Sequence, residues 1–479
     1  MPKNKRLISA SDTHAWDHCT RLAWFAFHAS VDEAGAPSVA HEPDQFSQLI
    51  QAMGEDHEAR ILSSFAGAVT AESVAHTQTL MEKRTPVIYQ PQFLDTDLGV
   101  QGTPDFLLLT ENGYQVADVK LAMSVEKNRA IKTQLGVYQH ISDTDLPAVV
   151  FLGDGDAVEL SDEISALSAR FLTDMTALAD EPNMPDTHFG FSKCQVCLYH
   201  DYCVEHFEAQ DEMTLSPAID ARTGEQLKRQ GFQSLSDIAS AQFDDIEPAP
   251  FLRNPDKRQR IISQAQSLKS GEVIIRKTPE WPTGTLVHFD VESDPMAADG
   301  AGEVYLWGLL TPPYDQNSFE AVWRETDDVD TWQAFLATIA ACRLRYPNLI
   351  LVHYSHYERA QIQRYAERYS GFDDPTVQWL LADDGPLWDL QHFLKLHYIL
   401  PVRSYGLKAI CRDPRLVNFH WRDEQSGSQW SVVRYYDYVA AMAEAKVAEA
   451  HRIRDEILTY NEDDVRATAA VVDWLGGLV

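Results

Sequence analysis

Two short apolar runs, far apart in the chain, each carry a pair of charged residues two positions apart. In "YQVADVKLA" the pair is Asp118 and Lys120; in "TLVHFDVES" it is Asp290 and Glu292. Runs of this length, rich in Val and aromatic residues, read as strands. Successive side chains of a strand point to opposite faces, so residues i and i+2 share one. Each pair is thereby committed to one side of a sheet, and the apolar positions beside it need helices to cover them.

The surrounding pattern supplies those helices twice. "DQFSQLIQAMGEDHEARILSSF" has the apolar spacing of a helix. "VIYQPQFL", "GTPDFLLLT" and "YQVADVKLA" follow as strands, "ENG" being a tight connection. "NRAIKTQLGVYQHI" reads as a helix, and "AVVFLG" and "AVELS" as two more strands. In the second half "EVYLWGLLT" is the hairpin partner of "TLVHFDVES". "TWQAFLATIAACRLRYP" (helix), "NLILVHY" (buried strand), "SHYERAQIQRYAERY" (helix) and a closing helix ending "DEILTYNEDDVRATAAVVDWLGGLV" come after it. The stretch between, with "DDIEPAPFLRNPD" at its centre, reads as short helices broken by Gly and Pro. The expected fold class is α/β, with two mixed-sheet domains at 1–205 and 281–479 joined by a small helical connector at 206–280. A chain of 479 residues, 44% apolar, accommodates that organisation.

No apolar run reaches the ~18–20 residues of a membrane span. The basic N-terminus "MPKNKR" is not followed by an apolar segment of the secretory type, so no membrane partner is implied and the cytosol is the expected compartment. The net charge of −32 argues against a protein that coats nucleic acid through clustered cations. It leaves room for a metal-dependent enzyme, which gathers carboxylates and needs only a local basic track. One stretch qualifies: Arg253, Lys257, Arg258, Arg260, Lys269, Arg276 and Lys277 stand against Asp256 and Glu272. A solvated helix face reads equally well there.

In the N-terminal half, "GEDHE" places His57 on a helix, "GTPD" places Asp105 at the start of a strand, and "DVK" places Asp118 and Lys120 on the next. Two carboxylates and an imidazole are ligands for a hard divalent cation such as Mg²⁺ or Mn²⁺. A nearby lysine can offset charge developing on a phosphate. Three of the six cysteines fall in "CQVCLYHDYC" (Cys194, Cys197, Cys203), and Cys19 lies far upstream. Such clustering suggests a metal group more than disulfides. His200 lies within the trio, so a Cys3His zinc site is one reading. Cys342 and Cys411 read as packed residues. In the C-terminal half, Tyr460 and Asp464 are four apart on a helix and share a face. Acids from a first strand and a last helix meeting at one point suit two-metal hydrolysis, with ions about 3.5–4 Å apart.

On these residues the segment 54–140 resembles the RecB-like branch of the PD-(D/E)XK (restriction-endonuclease-like) nucleases. The resemblance implies catalytic roles for Asp105, Asp118 and Lys120, metal binding by His57, and a Q-x-x-x-Y motif at Gln134 and Tyr138. Cys19 with Cys194, Cys197 and Cys203 resembles the bracket of the iron–sulfur members of that branch, implying a [4Fe–4S] cluster. Residues 283–479 resemble the tyrosine-type DEDD exonucleases of the RNase H-like superfamily, in particular those fused to RecB-like nucleases in bacteria. Asp290 and Glu292 match D-x-E, and Tyr460 and Asp464 match Y-x-x-x-D. Glu358 of "VHYSHYERAQI" stands where an Asp is usual; it is the expected fourth ligand. Lys408 of "RSYGLKAI" is expected near the substrate phosphate. Asp389 and Asp463 are alternative acids. The resemblance implies a nuclease acting on nucleic acid, single-stranded or frayed DNA in particular, with a 3′→5′ exonuclease centre at the C-terminal end. The other reading is a nucleic-acid-binding or assembly platform in which one module is catalytically inactive. "LKRQGFQSLSDIA" faintly resembles a helix–hairpin–helix.

Overall fold

The computed structural model describes residues 6–28, 44–160, 163–296, 302–325, 327–369, 371–423 and 427–478. The chain forms two compact units, Met1–His188 with Ser192–Cys203, and Phe189–Phe191 with Val204–Val479. Both are mixed α/β. No helix among the described residues is long and apolar enough to cross a membrane.

The first unit is built on a six-stranded sheet in the order Val69–Thr70, Val87–Tyr89, Phe106–Thr110, Gly113–Val119, Ala148–Phe151, Ala157–Leu160. Gly113–Val119 runs antiparallel to Phe106–Thr110 and parallel to Ala148–Phe151. The parallel step requires a crossover, and the helix Arg129–Ser142 provides it. Its apolar residues Ile131 and Leu135 join Leu107, Val116 and Val150 of the sheet, with Phe171 and Met175 of the helix Glu163–Asp180, in one core. The expected single strand "VIYQPQFL" is two: Val87–Tyr89 lies in the large sheet and Phe93–Asp95 in a separate three-stranded one. The break falls at Gln90, whose φ is 49°, and at Pro91, which has no amide hydrogen to give a ladder.

In the second unit five strands lie in the order Phe319–Trp323, Glu303–Leu310, Thr285–Asp294, Leu349–His353, Leu387–Asp389. Glu303–Leu310 runs antiparallel to both of its neighbours; the last two strands run parallel to the central one. Phe319–Trp323 escapes a reading of apolar runs because it is half-buried at the sheet edge and interrupted by Glu320. Alternation on the central strand splits its side chains. Val287, Phe289 and Val291 pack with Trp332, Phe335 and Ile362 of the helices Asp328–Arg345 and Tyr357–Arg368. The even positions face the long helix Val447–Gly476, where His288 Nδ1 meets Thr468 Oγ1 at 2.9 Å.

Helices Ala221–Arg229, Leu235–Ser240 and Pro255–Ser270 form their own apolar cluster around Leu227, Ile238, Ile246 and Ile261. They belong to the second unit. Ile274–Ile275 pairs with Tyr398–Ile399, and Gln264 Nε2 donates to the Leu400 carbonyl at 2.7 Å.

Helix Arg129–Ser142 crosses helix Glu163–Asp180 at Gly136. A Cβ there would lie 2.5 Å from the Ile164 carbonyl oxygen and 3.1 Å from Ser168 Cβ. Backbone cannot give way as a flexible side chain can, so Gly136→Ala is expected to destabilise the first unit by about 1–3 kcal/mol. A thermal or urea melt followed by circular dichroism checks it; an unchanged midpoint would mean that the two helices are not held at this spacing.

Candidate metal and active centres

The central strand brings Asp290 and Glu292 to the face covered by the last helix, and one turn of that helix presents Tyr460 and Asp464 to them. Ligand oxygens of Asp290, Glu292 and Asp464 all lie within 4.8 Å of one another. A register irregularity begins only after Glu292, so the alternation that pairs it with Asp290 is intact. The approach of the helix depends on Gly308, which lies opposite Asp290 in the sheet. A Cβ at Gly308 would overlap Asn461 Oδ1 at 1.7 Å. With no side chain in the way, Asn461 Nδ2 donates to Asp290 Oδ2 at 2.7 Å and also bonds Glu292.

Glu358, at the start of helix Tyr357–Arg368, is buried and repels Asp290 electrostatically, but it lies outside the 4.8 Å trio. Its Oε2 is 3.4 Å from His353 Nδ1 and accepts no hydrogen bond. Tyr460 hydrogen-bonds Asp464, and Trp421 Nε1 donates to Asp464 Oδ1 at 2.7 Å. Lys408 Nζ lies 5.0 Å from the Tyr460 ring centre and 5.3 Å from that of Trp421. It acts on both Asp464 and Glu292. The alternative acids are otherwise engaged. Asp463 accepts from Arg422 Nε at 2.7 Å, and Asp389 caps helix Leu390–His397 while accepting the Ser355 amide. Asn461 and Trp421 are the residues a sequence reading passes over. Asn461 directly follows Tyr460, but nothing in a single sequence marks it as touching Asp290.

In the first unit, Asp105 directly precedes strand Phe106–Thr110, and Lys120 follows the end of Gly113–Val119. The two acids are linked through the backbone: Asp105 N–H donates to Asp118 Oδ1 (3.3 Å) and Val119 N–H to Asp105 Oδ2 (2.7 Å). Lys120 Nζ is 2.6 Å from Asp118 Oδ2, a close ion pair. Burial, then the Asp118 charge, pushes the Asp105 carboxyl up to about 8. Tyr138 faces the same two acids and accepts from Gln134 Nε2 at 3.0 Å. His57 is engaged elsewhere: its Nε2 is 2.7 Å from the Leu152 carbonyl and its Nδ1 is 3.3 Å from Arg60. The residue of "GEDHE" that repels Asp105 is Glu58, which accepts from Tyr89 Oη at 2.7 Å. His14 also faces Asp118 and Lys120.

The four cysteines converge. Burial raises the Cys197 thiol, and Cys203, Cys19 and Cys194 raise it further. Cys203 feels Cys19 and Cys194 as well, offset by Arg21, whose guanidinium is buried 3.9 Å from its sulfur. Among the described residues no three of these sulfurs meet the mutual spacing of the carboxylate trio. His200 Nδ1 is turned to the Cys194 carbonyl at 2.9 Å.

Residues 287–476 match the RNase_H_2 family of the RNase H superfamily. The match starts in the strand that carries Asp290 and Glu292 and ends in the helix that carries Tyr460 and Asp464, so this region is an RNase H-like domain. No curated protein matches the chain.

Crowding leaves these acids reluctant to ionise. Burial first, then the neighbouring charges, holds Asp290 well above the usual carboxylate range. Glu292 is pushed up to about 8 and Asp464 to about 6 by burial, with Lys408 opposing the rise at both. The folded protein therefore binds more protons than the unfolded chain above the usual carboxylate range. The stability this confers is present at low pH and lost as pH rises through about 6 to 8. A divalent cation reverses the penalty, and its binding releases protons. Chelator-treated protein is expected to melt lower at pH 8 than at pH 6, and Mn²⁺ to raise the midpoint more at pH 8. Differential scanning calorimetry reads both; an equal Mn²⁺ shift at the two pH values would contradict the site.

Proposed function

We propose that the chain is a metal-dependent nuclease with two hydrolytic centres acting on single-stranded or frayed DNA. One is a 3′→5′ exonuclease-type centre in the RNase H-like domain, and the other a RecB-like PD-(D/E)XK centre in the N-terminal unit. The observation that carries the reading is the meeting of Asp290, Glu292 and Asp464 within 4.8 Å, with Glu358 acting on Asp290 from an adjoining element. Buried acceptors without a hydrogen-bond donor fit a cation: Glu358 Oε2 in this unit and Gln134 Oε1 in the other. Mg²⁺ or Mn²⁺ held by these carboxylates would polarise the phosphate and lower the pKa of bound water.

The chain's own residues do the positioning. Asn461 fixes Asp290, and Trp421 fixes Asp464. Tyr460, bonded to Asp464, is the group to orient an attacking water. Lys408, held over two aromatic rings, brings positive charge toward the phosphate. In the N-terminal unit Asp105 and Asp118 are the metal-binding pair, with Lys120 beside them and Gln134 and Tyr138 forming one wall. Glu58 supplements or replaces His57 as the helix-borne ligand, because it is the one that acts on Asp105.

Cys19, Cys194, Cys197 and Cys203 are proposed to hold a [4Fe–4S] cluster. A compact Cys3His Zn²⁺ site is the alternative, and His200, its imidazole ligand, has Nδ1 turned to the Cys194 carbonyl. The buried Arg21 guanidinium suits a group with net negative charge.

Asp290→Asn is expected to reduce 3′-end degradation of labelled oligonucleotides by on the order of 10²–10³-fold, and Asp118→Asn to remove a separate activity. Only the double variant should be inert on every substrate. If Asp118→Asn leaves all cleavage intact, the N-terminal centre is a platform and not a nuclease. For the cysteines, anaerobically purified protein should be brown and carry iron and sulfide. Cys19→Ser should bleach it; a colourless protein with one bound zinc would refute the cluster.

A further inference from the structure

The basic stretch that stands out in the sequence does not stay a simple helix face. Lys269 is paired with Asp211, and Arg258 is buried, donating to the Ile246 carbonyl under the Phe243 ring. Three other cations turn into one cavity of about 290 Å³, lined by Lys257, Arg260 and Arg276 with Pro217, Ala218, Asn254 and Asp256. The cations come from two elements: Lys257 and Arg260 from helix Pro255–Ser270, and Arg276 from the segment after Ile274–Ile275. Asp256 is the one acid in the lining, and Arg276 holds it at 3.2 Å. Lys257 Nζ donates to Thr223 Oγ1. Arg260 Nε is buried without an acceptor among the described residues, which is costly for a cationic donor. Lys395 adds to the crowding: burial lowers its pKa, Asp389 raises it and Arg260 lowers it further. Like charges this close, with one acid among them, leave a deficit that an anion would fill.

The cavity is tied to the catalytic end of the same unit. Arg276 N–H donates to the His397 carbonyl, and its guanidinium reaches the Lys395 carbonyl at 3.4 Å. Both belong to the helix Leu390–His397. The opposite end of that helix is capped by Asp389, which acts on Glu358, which in turn acts on Asp290. Eight helical residues span about 12 Å. That helix thus leads from the cavity to Asp389, on the side of the unit that holds the carboxylates.

We propose that this cavity binds a backbone phosphate of the nucleic-acid strand a few nucleotides from the one cleaved in the RNase H-like domain, with Arg260 and Arg276 as its main donors and Lys257 beside them. The proposal rests on the nuclease reading of that domain. It adds a phosphate site outside the catalytic centre, built from the helical segment before the sheet. The cavity sits at the N-terminal end of helix Pro255–Ser270, whose dipole favours the same charge.

The test is binding, read without catalysis. Full-length protein in EDTA is titrated into a fluorescein-labelled single-stranded oligonucleotide, and anisotropy is followed at several salt concentrations. Arg260→Ala with Arg276→Ala should weaken binding by about tenfold or more. It should also flatten the dependence of log K on log salt by roughly one to one and a half, at ~0.7 per lost single-strand contact. Arg260→Lys should recover much of the loss at Arg260, and Lys446→Ala, on a distant turn, should change nothing. Unchanged affinity and slope in the double variant, with a melt matching wild type, overturn the proposal. If the double variant melts early, Arg260→Ala alone is the variant to read, and an unchanged slope there overturns it equally. A nucleoside monophosphate or inorganic phosphate that competes as well as the oligonucleotide, at equal phosphate, assigns the cavity to a free anion and also overturns it. Wild type that neither binds nor cleaves any nucleic acid would instead sink the nuclease reading itself.

Discussion

The second unit depends on a repulsion that it relieves only in part. Asp290, Glu292 and Asp464 converge, with Glu358 near them, although the other three make Asp290 harder to ionise and Asp464 does the same to Glu292. Nothing in hydrophobic packing asks for this. The packing around it is nevertheless arranged to permit it, since Gly308 gives up its side chain so that Asn461 can grip Asp290. A fold under pressure for stability alone would place apolar residues at these positions. Retaining four acids makes sense where a cation completes them, and the same sheet-and-helix geometry then becomes the means of holding a reactive phosphate in place.

The first unit solves a related problem in another way. Asp105, half-buried, and Asp118, buried, also lie together, but Lys120 lies against one of them and backbone amides serve both. Part of the charge is already compensated, so Asp118 is fixed in orientation and Asp105 is the acid pushed upward. This asymmetry suits a site where one carboxylate is a fixed anchor and the other responds to a cation. The convergent cysteines follow a third logic. Cys19 and the trio are joined by the fold across the whole unit, so a group bound there would tie its two ends and limit the unfolded chain.

What the sequence makes legible follows from periodicity. The pairs Asp290/Glu292 and Tyr460/Asp464 share faces because strands repeat in two and helices return at i+4, and both relations hold in the structure. Local arithmetic ends there. It extends "VIYQPQFL" through Gln90, where a left-handed backbone turns the chain out of the sheet. It selects His57 and passes over Glu58, one position along the same helix, although the rotation between neighbours decides which of them sees Asp105. Gly308 and Asn461 are separated by most of the domain, and only their contact explains why either residue is what it is.

Charge shows the same limit at larger scale. A net charge of −32 suggests a protein that repels nucleic acid. Screening restricts that repulsion to about 8 Å at physiological salt, so the field a strand meets is set by the residues it touches. In the basic stretch, pairing and burial withdraw Lys269 and Arg258 from that role. The cations turned into the cavity are left to act, and their number matters less than their sharing one wall with a single, already paired acid. An acidic surface elsewhere then has a use of its own: it discourages nonspecific adhesion of a polyanion and leaves the cationic wall and the metal-binding acids as the places where a strand can settle.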